Sequence, residues 1–128
     1  MSYFVTGATG FLGRFLVSKL LTRKGAIHVL VRKGSEKKLD AIGERMGWDR
    51  KRVIAVTGDL SKPKLGLSAV QIKALSGKVQ HFFHLAAIYD LAADAESQEK
   101  ANIEGTRNAV EVAEAINAAG GEAVAIAC

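Results

Sequence analysis

Short apolar runs alternate with longer amphipathic stretches along the whole chain. The apolar runs are nearly continuous, which is typical of strands that are buried on both faces of a parallel sheet. Glycine and polar turn residues lie between them. The pattern predicts strands over residues 3–6, 27–32, 53–57, 81–85 and 123–127.

Between these runs, apolar residues recur at the spacing of helices. Ser35 and Ser68 precede two of the stretches as possible N-caps, and glycines follow them as stop signals. A stretch containing Gly, Pro and Ser over residues 58–66 is expected to be a loop. The spacing predicts a helix over residues 11–23 (Leu12, Phe15, Leu16, Leu20), a charged helix from Ser35 to Gly47 (Leu39, Ile42, Met46), a short helix from Ser68 to near Gly77, and a long alanine-rich helix over about 95–119 (Ile103, Val110, Ala113, Ile116).

This order of elements predicts an α/β fold with a doubly wound parallel sheet of about five strands and helices on both faces. The crossovers are expected to be right-handed. The sequence contains no repeat, low-complexity segment or linker, so we assign residues 1–128 to one domain. A further element would be expected after the fifth strand, and we therefore expect the domain to be truncated there.

The composition fits such a domain. The 128 residues are 48% hydrophobic and 24% charged, enough apolar surface for one ordinary core. The apolar stretches are shorter than the roughly 18 residues that a membrane span needs, and no secretory signal opens the chain. Cys128 is the single cysteine, so a disulfide within the chain is excluded. A cytoplasmic protein without a membrane span is the expectation.

The positive charge is concentrated in the first half of the chain. Residues 1–64 hold 14 Lys and Arg against 5 Asp and Glu, whereas residues 65–128 hold 4 against 8. A phosphate-rich small molecule would account for this field. The basic run Arg50-Lys51-Arg52 has no interleaved aromatic residue and is interpreted as a solvated turn. We therefore expect no nucleic-acid partner.

The most informative segment follows the first strand directly. It reads Gly7-Ala8-Thr9-Gly10-Phe11-Leu12-Gly13 and leads into a predicted helix. In this context Gly7 permits a tight turn, Gly10 allows backbone N–H groups to approach a pyrophosphate, and Gly13 allows the helix to lie close to the strand. Because a helix N-terminus favours negative charge, the segment predicts a dinucleotide site of the Rossmann type. No Gly-Lys-Ser/Thr follows, which excludes a P-loop NTPase.

The end of the second strand indicates which dinucleotide is bound. An NAD site usually has an Asp or Glu about 20 residues beyond the glycines. This chain has Arg32, Lys33 and Ser35 there, which can hold a 2′-phosphate that a carboxylate would repel. NADP(H) is therefore the predicted cofactor and NAD the less favoured one, although Glu36 lies close by. The small-molecule dinucleotide is the predicted partner.

Four ordered motifs give the chain a family resemblance over residues 3–117. They are the glycine segment, Gly58-Asp59-Leu60-Ser61, His84-Leu85-Ala86-Ala87, and Asn102 with Gly105-Thr106. In this order they resemble the extended short-chain dehydrogenases/reductases. Residues 58–68 are similar to the branch that reduces acyl thioesters, including fatty acyl-CoA reductases and carboxylic acid reductases. An acyl thioester or carbonyl substrate of the complete enzyme is thus implied.

The resemblance also implies roles for individual residues. Asp59 and Leu60 would lie beside the adenine, and Asn102 would organise the floor of the site through hydrogen bonds. The small side chains at Leu85-Ala86-Ala87 would let the ribose and phosphates pass. Because the family pairs through its long helices, a homo-oligomer is implied. The predicted cofactor-binding residues are Gly7, Thr9, Gly10, Phe11, Leu12, Gly13, Arg32, Lys33, Ser35, Asp59, Leu60, Leu85, Ala86, Ala87 and Asn102.

The catalytic pattern of this family is missing from the sequence. Its members use a Ser or Thr after the fifth strand, near Cys128 here, and a Tyr followed four residues later by a Lys. The fourth residue after Tyr89 is Ala93 rather than a Lys, so no catalytic residue is assigned. Tyr89 and Asp90 could nevertheless line a substrate cleft. His81 and His84 are expected on opposite faces of a strand, which argues against a metal site.

The expected function is the NADP(H)-binding part of a reductase. A non-catalytic dinucleotide-binding module and an epimerase or dehydratase of the same superfamily remain alternatives.

Overall fold

The first strand lies in the middle of a parallel sheet. In the computed structural model, which describes residues 2–86, 94–118, 120–121 and 124–127, the sheet has five strands in the order β3-β2-β1-β4-β5. The strands are β1 (Ser2–Thr6), β2 (Ile27–Val31), β3 (Val53–Thr57), β4 (Val79–His84) and β5 (Val124–Ala127). The predicted doubly wound α/β fold is confirmed.

Helices connect the strands on both faces of this sheet. They are α1 (Phe11–Leu20), α2 (Glu36–Met46), α3 (Ala69–Ser76) and α4 (Ala95–Ala118), and a short 3₁₀ helix, Pro63–Gly66, interrupts the predicted loop before α3. Ser68 and Gln71 form a reciprocal capping box at the start of α3, as a Ser at that position favours. Gly47 adopts a positive φ of 73° at the end of α2. No helix in the described ranges is long and apolar enough to cross a membrane.

Alternation along β1 divides the buried residues into two cores. Tyr3 and Val5 belong to a core with residues of α1 and α2, whereas Phe4 belongs to a core with residues of α3 and α4. Phe4 stacks on Phe82 of β4 with ring centroids 4.7 Å apart. Both faces of the sheet are therefore covered by helices, as the continuous apolar strands predict.

The buried faces of α1 and α4 agree only in part with the predicted ones: Leu20, Ala113 and Ile116 are buried as predicted. Leu12 and Phe15, however, are 66% and 53% exposed, and α1 buries Gly13 and Val17 beside Leu20. Contact through Gly13 brings the helix against the loop after β1 and turns the larger side chains outward. In α4 Ile103 and Val110 are exposed. That helix packs through smaller residues, namely Gly105, Asn108, Ala109, Val112 and Ala113, together with Ile116.

The basic run before β3 is not a solvated turn throughout, which corrects that part of the sequence interpretation. The Arg52 guanidinium donates hydrogen bonds to the carbonyls of Leu21, Arg23 and Gly25 just beyond α1. α1 ends at Leu20, earlier than predicted, and these bonds fix residues 21–25 against the start of β3. Arg50 donates to Asp40 at 2.6 Å and to the Val53 carbonyl at 2.9 Å. Both arginines are thus engaged within the chain.

Candidate functional site

A cleft of about 530 Å³ lies at the carboxyl ends of the strands. The cleft lies at the centre of the sheet, at the end of β1. There β2 and β3 lie on one side of β1, and β4 and β5 lie on the other side. Ligands of doubly wound folds bind at this point because the crossovers diverge there. The lining residues come from the ends of four strands: Gly7, Thr9, Gly10, Leu30, Val31, Arg32, Ser35, Lys38, Gly58, Asp59, Leu60, Ser61, Leu85 and Ala86.

Two glycines of the loop after β1 allow backbones to approach closely. Gly7 has a φ of +81°, and a Cβ there would lie 2.6 Å from the Ala86 nitrogen. A Cβ on Gly13 would lie 1.8 Å from the Gly7 carbonyl oxygen. Because backbone atoms cannot move aside as a flexible side chain can, neither position accepts a side chain in this arrangement. The predicted reasons for Gly7 and Gly13 agree with this geometry.

Gly10 is different, because the surrounding protein does not require a glycine there. Its φ of −74° and ψ of 173° are open to any residue, and a Cβ would meet only the Gly7 oxygen at 3.3 Å. It lines the cleft and precedes α1 without a side-chain cap. The first-turn N–H groups of α1 are therefore left for a ligand, and a side chain on Gly10 would fill the space beside them. This arrangement fits a pyrophosphate.

Arg14 supports the glycine loop from the first turn of α1. Its guanidinium donates to the Thr9 carbonyl at 3.0 Å and to the Gly10 carbonyl at 3.3 Å. These bonds hold both carbonyls toward Arg14. Arg14 is not among the residues predicted from the sequence, although its position directly after the glycine segment was a signal for it.

The turn after β2 places three polar residues on the cleft. Arg32, Ser35 and Lys38 line it, whereas Lys33 is exposed and lies outside the lining. Ser35 stands at the N-cap position of α2, but its hydroxyl makes no capping hydrogen bond. The predicted N-cap position is confirmed, but its side-chain hydrogen bond is not formed. Lys38, which the sequence analysis missed, reaches the cleft from the first turn of α2.

The segment after β3 forms the far end of the cleft. Asp59 Oδ1 accepts hydrogen bonds from the Ser61 N–H at 2.9 Å and from the Ser61 hydroxyl at 2.6 Å. These bonds, with smaller contributions from Lys62 and Arg32, hold the pKa of the Asp59 carboxyl below its usual value. The Asp59 carboxylate is therefore ionised at neutral pH. Because both hydrogen bonds from Ser61 go to Oδ1, Ser61 does not occupy Oδ2.

Residues that follow Asp59 are held by buried contacts. The Leu60 carbonyl accepts from Asn108 Nδ2 of α4 at 2.7 Å, and the Asp59 N–H donates to the Leu65 carbonyl at 2.8 Å. Lys64 and Leu65 adopt positive φ values of 53° and 58°. The turn therefore contains left-handed residues other than glycine, and Leu65 is fully buried within it.

The opposite end of the cleft is formed after β4. Leu85 and Ala86 line it, and the Leu85 N–H donates to the Thr6 carbonyl at 3.1 Å. His84 lies on the α4 side of β4, whereas His81 stacks on Tyr3 on the other side. The predicted opposite orientation of the two histidines is confirmed.

The structure brings most of the predicted cofactor-binding residues to this cleft. Five others are not among the lining residues. Phe11 and Leu12 begin α1 directly after Gly10, with exposed side chains, so only their backbone N–H groups face the pyrophosphate position. Gly13 is buried, Lys33 is exposed, and Asn102 is half-buried on α4. Ala87, Tyr89, Asp90 and Cys128 lie outside the described residues.

Comparison with known families decides the classification. Residues 5–124 match the NAD-binding family described as Male sterility protein. The chain belongs to this family. It is the NAD(P)-binding portion of the extended short-chain reductases of thioesters and fatty acyl groups, which confirms the family resemblance drawn from the four motifs.

Relatives of the chain include several large enzymes. The chain is 39% identical to a linear gramicidin synthase protein of Brevibacillus parabrevis, over 87% of the chain and 2% of that protein. It is 28% identical to a Drosophila melanogaster protein assigned as a fatty acyl-CoA reductase, CG8306, over 88% of the chain and 25% of that protein. The chain thus spans a quarter or less of these two proteins.

Solved structures share the same fold. The terminal R domain from the myxalamid PKS-NRPS biosynthetic pathway has a TM-score of 0.72 and 33% identity, over 88% of this chain and 31% of that one. Gre2 of Candida albicans in complex with NADPH has a TM-score of 0.75 and 21% identity, over 99% of this chain and 36% of that one. At that identity the second likeness concerns the fold alone.

Proposed function

We propose that this chain binds NADP(H) and serves as the cofactor-binding part of a reductase that acts on acyl thioesters or carbonyl groups. The observation that carries the proposal is the turn after β2. Arg32, Ser35 and Lys38 line the cleft there, and Glu36 does not. Two cations and an uncommitted hydroxyl form a binding site for a 2′-phosphate, whereas an NAD site would have a carboxylate on the ribose.

The rest of the cleft supports binding of the whole dinucleotide. The pyrophosphate would accept hydrogen bonds from the uncapped N–H groups of α1, beside Gly10. At the β3 end, Asp59 Oδ2 would accept from the exocyclic amine of adenine, beside Leu60. Leu85 and Ala86 would then contact the part of the cofactor on the nicotinamide side.

The substrate class comes from the relatives. The family comprises thioester and fatty acyl reductases, and the cofactor supplies hydride to such a carbonyl when it is bound. The residues of this chain bind and orient the cofactor. The usual proton donor is a Tyr with a Lys four residues later, a pair that the sequence does not contain. We therefore expect no useful turnover from these 128 residues alone, because general acid catalysis is worth roughly 10²- to 10⁴-fold.

A second candidate is a dinucleotide-binding module without catalysis. NADPH oxidation followed by absorbance, with a fatty acyl-CoA and with aldehydes, tests the chain itself. Turnover near one per second would contradict the expectation of inactivity. Reading the coding DNA beyond residue 128 for a Tyr-x-x-x-Lys would distinguish a reductase part from a regulatory module.

Self-association through α4 is also proposed. Ile103 and Val110 are 53% and 41% exposed and, at a spacing of two helical turns, lie on one face of α4. Light scattering at micromolar concentration is expected to show a dimer or a larger species. A monomer would contradict this proposal without affecting the cofactor assignment.

Cofactor preference is tested by calorimetry with NADPH and NADH. In the wild type we expect NADPH to bind at least about tenfold more tightly, because each charge-assisted bond to the 2′-phosphate is worth on the order of 1.5–3 kcal/mol when it is well formed. Arg32→Ala and Lys38→Ala should each reduce the affinity for NADPH and leave that for NADH nearly unchanged.

Lys33→Ala is the matched control, since it removes a neighbouring cation that lies outside the cleft lining. Its effect on NADPH is expected to stay within about twofold, in keeping with an exposed charge. Equal wild-type affinities for the two cofactors would refute the NADP(H) assignment.

A further inference from the structure

A buried hydrogen-bond network joins three elements behind the wall of the cleft. Thr6 Oγ1 of β1 lies 2.6 Å from His84 Nδ1 of β4, and Thr106 Oγ1 of α4 lies 3.2 Å from His84 Nε2. Thr6 Oγ1 also accepts the N–H of Ala86 at 3.2 Å. Thr6 is fully buried and His84 is 4% exposed. We call this set the Thr6–His84–Thr106 network.

The hydrogen atoms of this network follow from the need of the buried Thr6 hydroxyl for an acceptor. Thr6 Oγ1 accepts from the Ala86 N–H, and in the described part of the chain His84 Nδ1 is the one acceptor within reach of its own hydrogen. With Nδ1 unprotonated, the ring proton of neutral His84 lies on Nε2, toward Thr106. Burial lowers the pKa of His84, which agrees with a neutral ring.

We propose that His84 is a positioning residue for the dinucleotide. As the Nε2–H tautomer, it accepts the hydrogen of the Thr6 hydroxyl and so orients that hydroxyl. The Thr6 oxygen then accepts the Ala86 N–H and holds it away from the cleft. This inference rests on the proposed cofactor site. It assigns to His84 and Thr6 a role on the nicotinamide side of that site, although neither side chain lines the cleft.

The position of the Ala86 amide matters because it lies in a close backbone contact of the site. Ala86 lines the cleft on one side, and on the other its nitrogen lies 2.6 Å from where a Cβ of Gly7 would be. Loss of the Thr6 hydroxyl would leave the Ala86 N–H without this partner, at a cost that a rotated peptide group could avoid. Such a rotation would displace the wall between the glycine loop and the end of β4.

Thr6→Val tests this role because it keeps the shape of the side chain and removes the hydroxyl. We expect it to weaken NADPH binding about three- to tenfold, the effect of one buried hydrogen bond. Adenosine 2′-monophosphate, which would occupy the end of the cleft beside Arg32 and Asp59 and carries no phosphate for the glycine loop, is expected to bind as to the wild type. Thr6→Ser, which retains the hydroxyl, is expected to bind NADPH as tightly as the wild type.

Ser76→Ala is the matched control, since it removes another side-chain hydrogen bond, the 2.6 Å bond from Ser76 Oγ to the Lys73 carbonyl in α3, away from the cleft. Thermal unfolding of each variant separates loss of fold from loss of binding. Wild-type NADPH affinity in Thr6→Val, or an equal loss for adenosine 2′-monophosphate, would overturn the positioning role. Failure of the wild type to bind either ligand would instead refute the proposed function, and the positioning role with it.

Nitrogen-15 NMR of the wild-type chain tests the tautomer directly and needs no variant to fold. We expect the His84 ring to show a protonated Nε2 and an unprotonated Nδ1 at neutral pH. A protonated Nδ1 would overturn the proposed direction of the network, whatever the binding results.

Discussion

Gly10→Val should separate binding from folding. The backbone of Gly10, with φ of −74° and ψ of 173°, suits a β-branched residue, and the nearest atom to its Cβ would be the Gly7 oxygen at 3.3 Å. The costs to stability are the poorer N-cap, about 1 kcal/mol, and a shift of a few tenths of an ångström at the Gly7 oxygen. The branched side chain would, however, occupy the space in which the pyrophosphate meets the first turn of α1.

The loss of affinity follows from the contacts that would be blocked. Losing two charge-assisted hydrogen bonds from backbone N–H groups to the pyrophosphate costs at least about 3 kcal/mol, which corresponds to more than a hundredfold in the dissociation constant. Calorimetry with NADPH measures this change, and thermal unfolding followed by circular dichroism measures the fold. Retained NADPH binding in a folded Gly10→Val variant would refute the assignment of this loop to the pyrophosphate.

Gly13→Ala is the control for Gly10→Val: it is expected to lower the stability of the fold, whereas Gly10→Val is expected to lower the affinity for NADPH. Its Cβ would lie 1.8 Å from the Gly7 carbonyl oxygen and 2.6 Å from the Gly7 carbonyl carbon. Relief requires α1 to move away from β1, and we expect a cost of at least about 3 kcal/mol, beyond the roughly 1 kcal/mol that alanine gains over glycine in a helix. A Gly13→Ala variant as stable as the wild type would show that the helix does not approach the loop this closely.

Three further changes test the fold. Lys64→Gly should raise the free energy of unfolding in denaturant by about 0.5–1 kcal/mol, because relief of the left-handed conformation exceeds the added flexibility of the unfolded chain; Lys73→Gly, within α3, should lower it. The free energy of unfolding should fall as the pH decreases below about 6.5, by up to about 1.4 kcal/mol per pH unit for each of His28 and His84. Burial lowers the pKa of both residues, so protons bind preferentially to the unfolded state. A flat profile between pH 7 and 5 would contradict this. Arg52→Met should destabilise the chain by about 1.5–3 kcal/mol in thermal unfolding through loss of the carbonyl contacts after α1, and an unchanged melting temperature would show that these contacts contribute nothing.

Local sequence was sufficient for the strands and for the glycine loop. Strand positions follow from continuous apolar runs, and the predicted bounds of Val53–Thr57 agree with the structure to the residue. Gly7 and Gly13 occupy positions where backbone contacts exclude a Cβ, a requirement of the strand–loop–helix motif itself. Such features depend on neighbouring residues and can therefore be predicted from spacing.

Contacts between distant segments were not predictable in the same way. Lys38 reaches the cleft because α2 begins beside β2, and Asn108 binds the Leu60 carbonyl across 48 positions of the chain. Helical spacing also does not show which side of a helix packs on the sheet when its first turn lies beyond the carboxyl ends of the strands. For this reason Leu12 and Phe15 of α1 were predicted on the buried face, although they are exposed. Both failures concern tertiary placement rather than local structure.

The contact between Gly7 and Ala86 has a consequence for the order of folding. The first β-α-β unit is local, but the wall of the cleft forms only when β4 pairs with β1, which closes a loop of more than 70 residues between Thr6 and His84. Closure of so long a loop is slow relative to local helix formation. A folding intermediate that holds only the first β-α-β unit would contain the glycine sequence without the cleft. The dinucleotide would then bind only after this closure, and so it would slow unfolding more than it speeds folding.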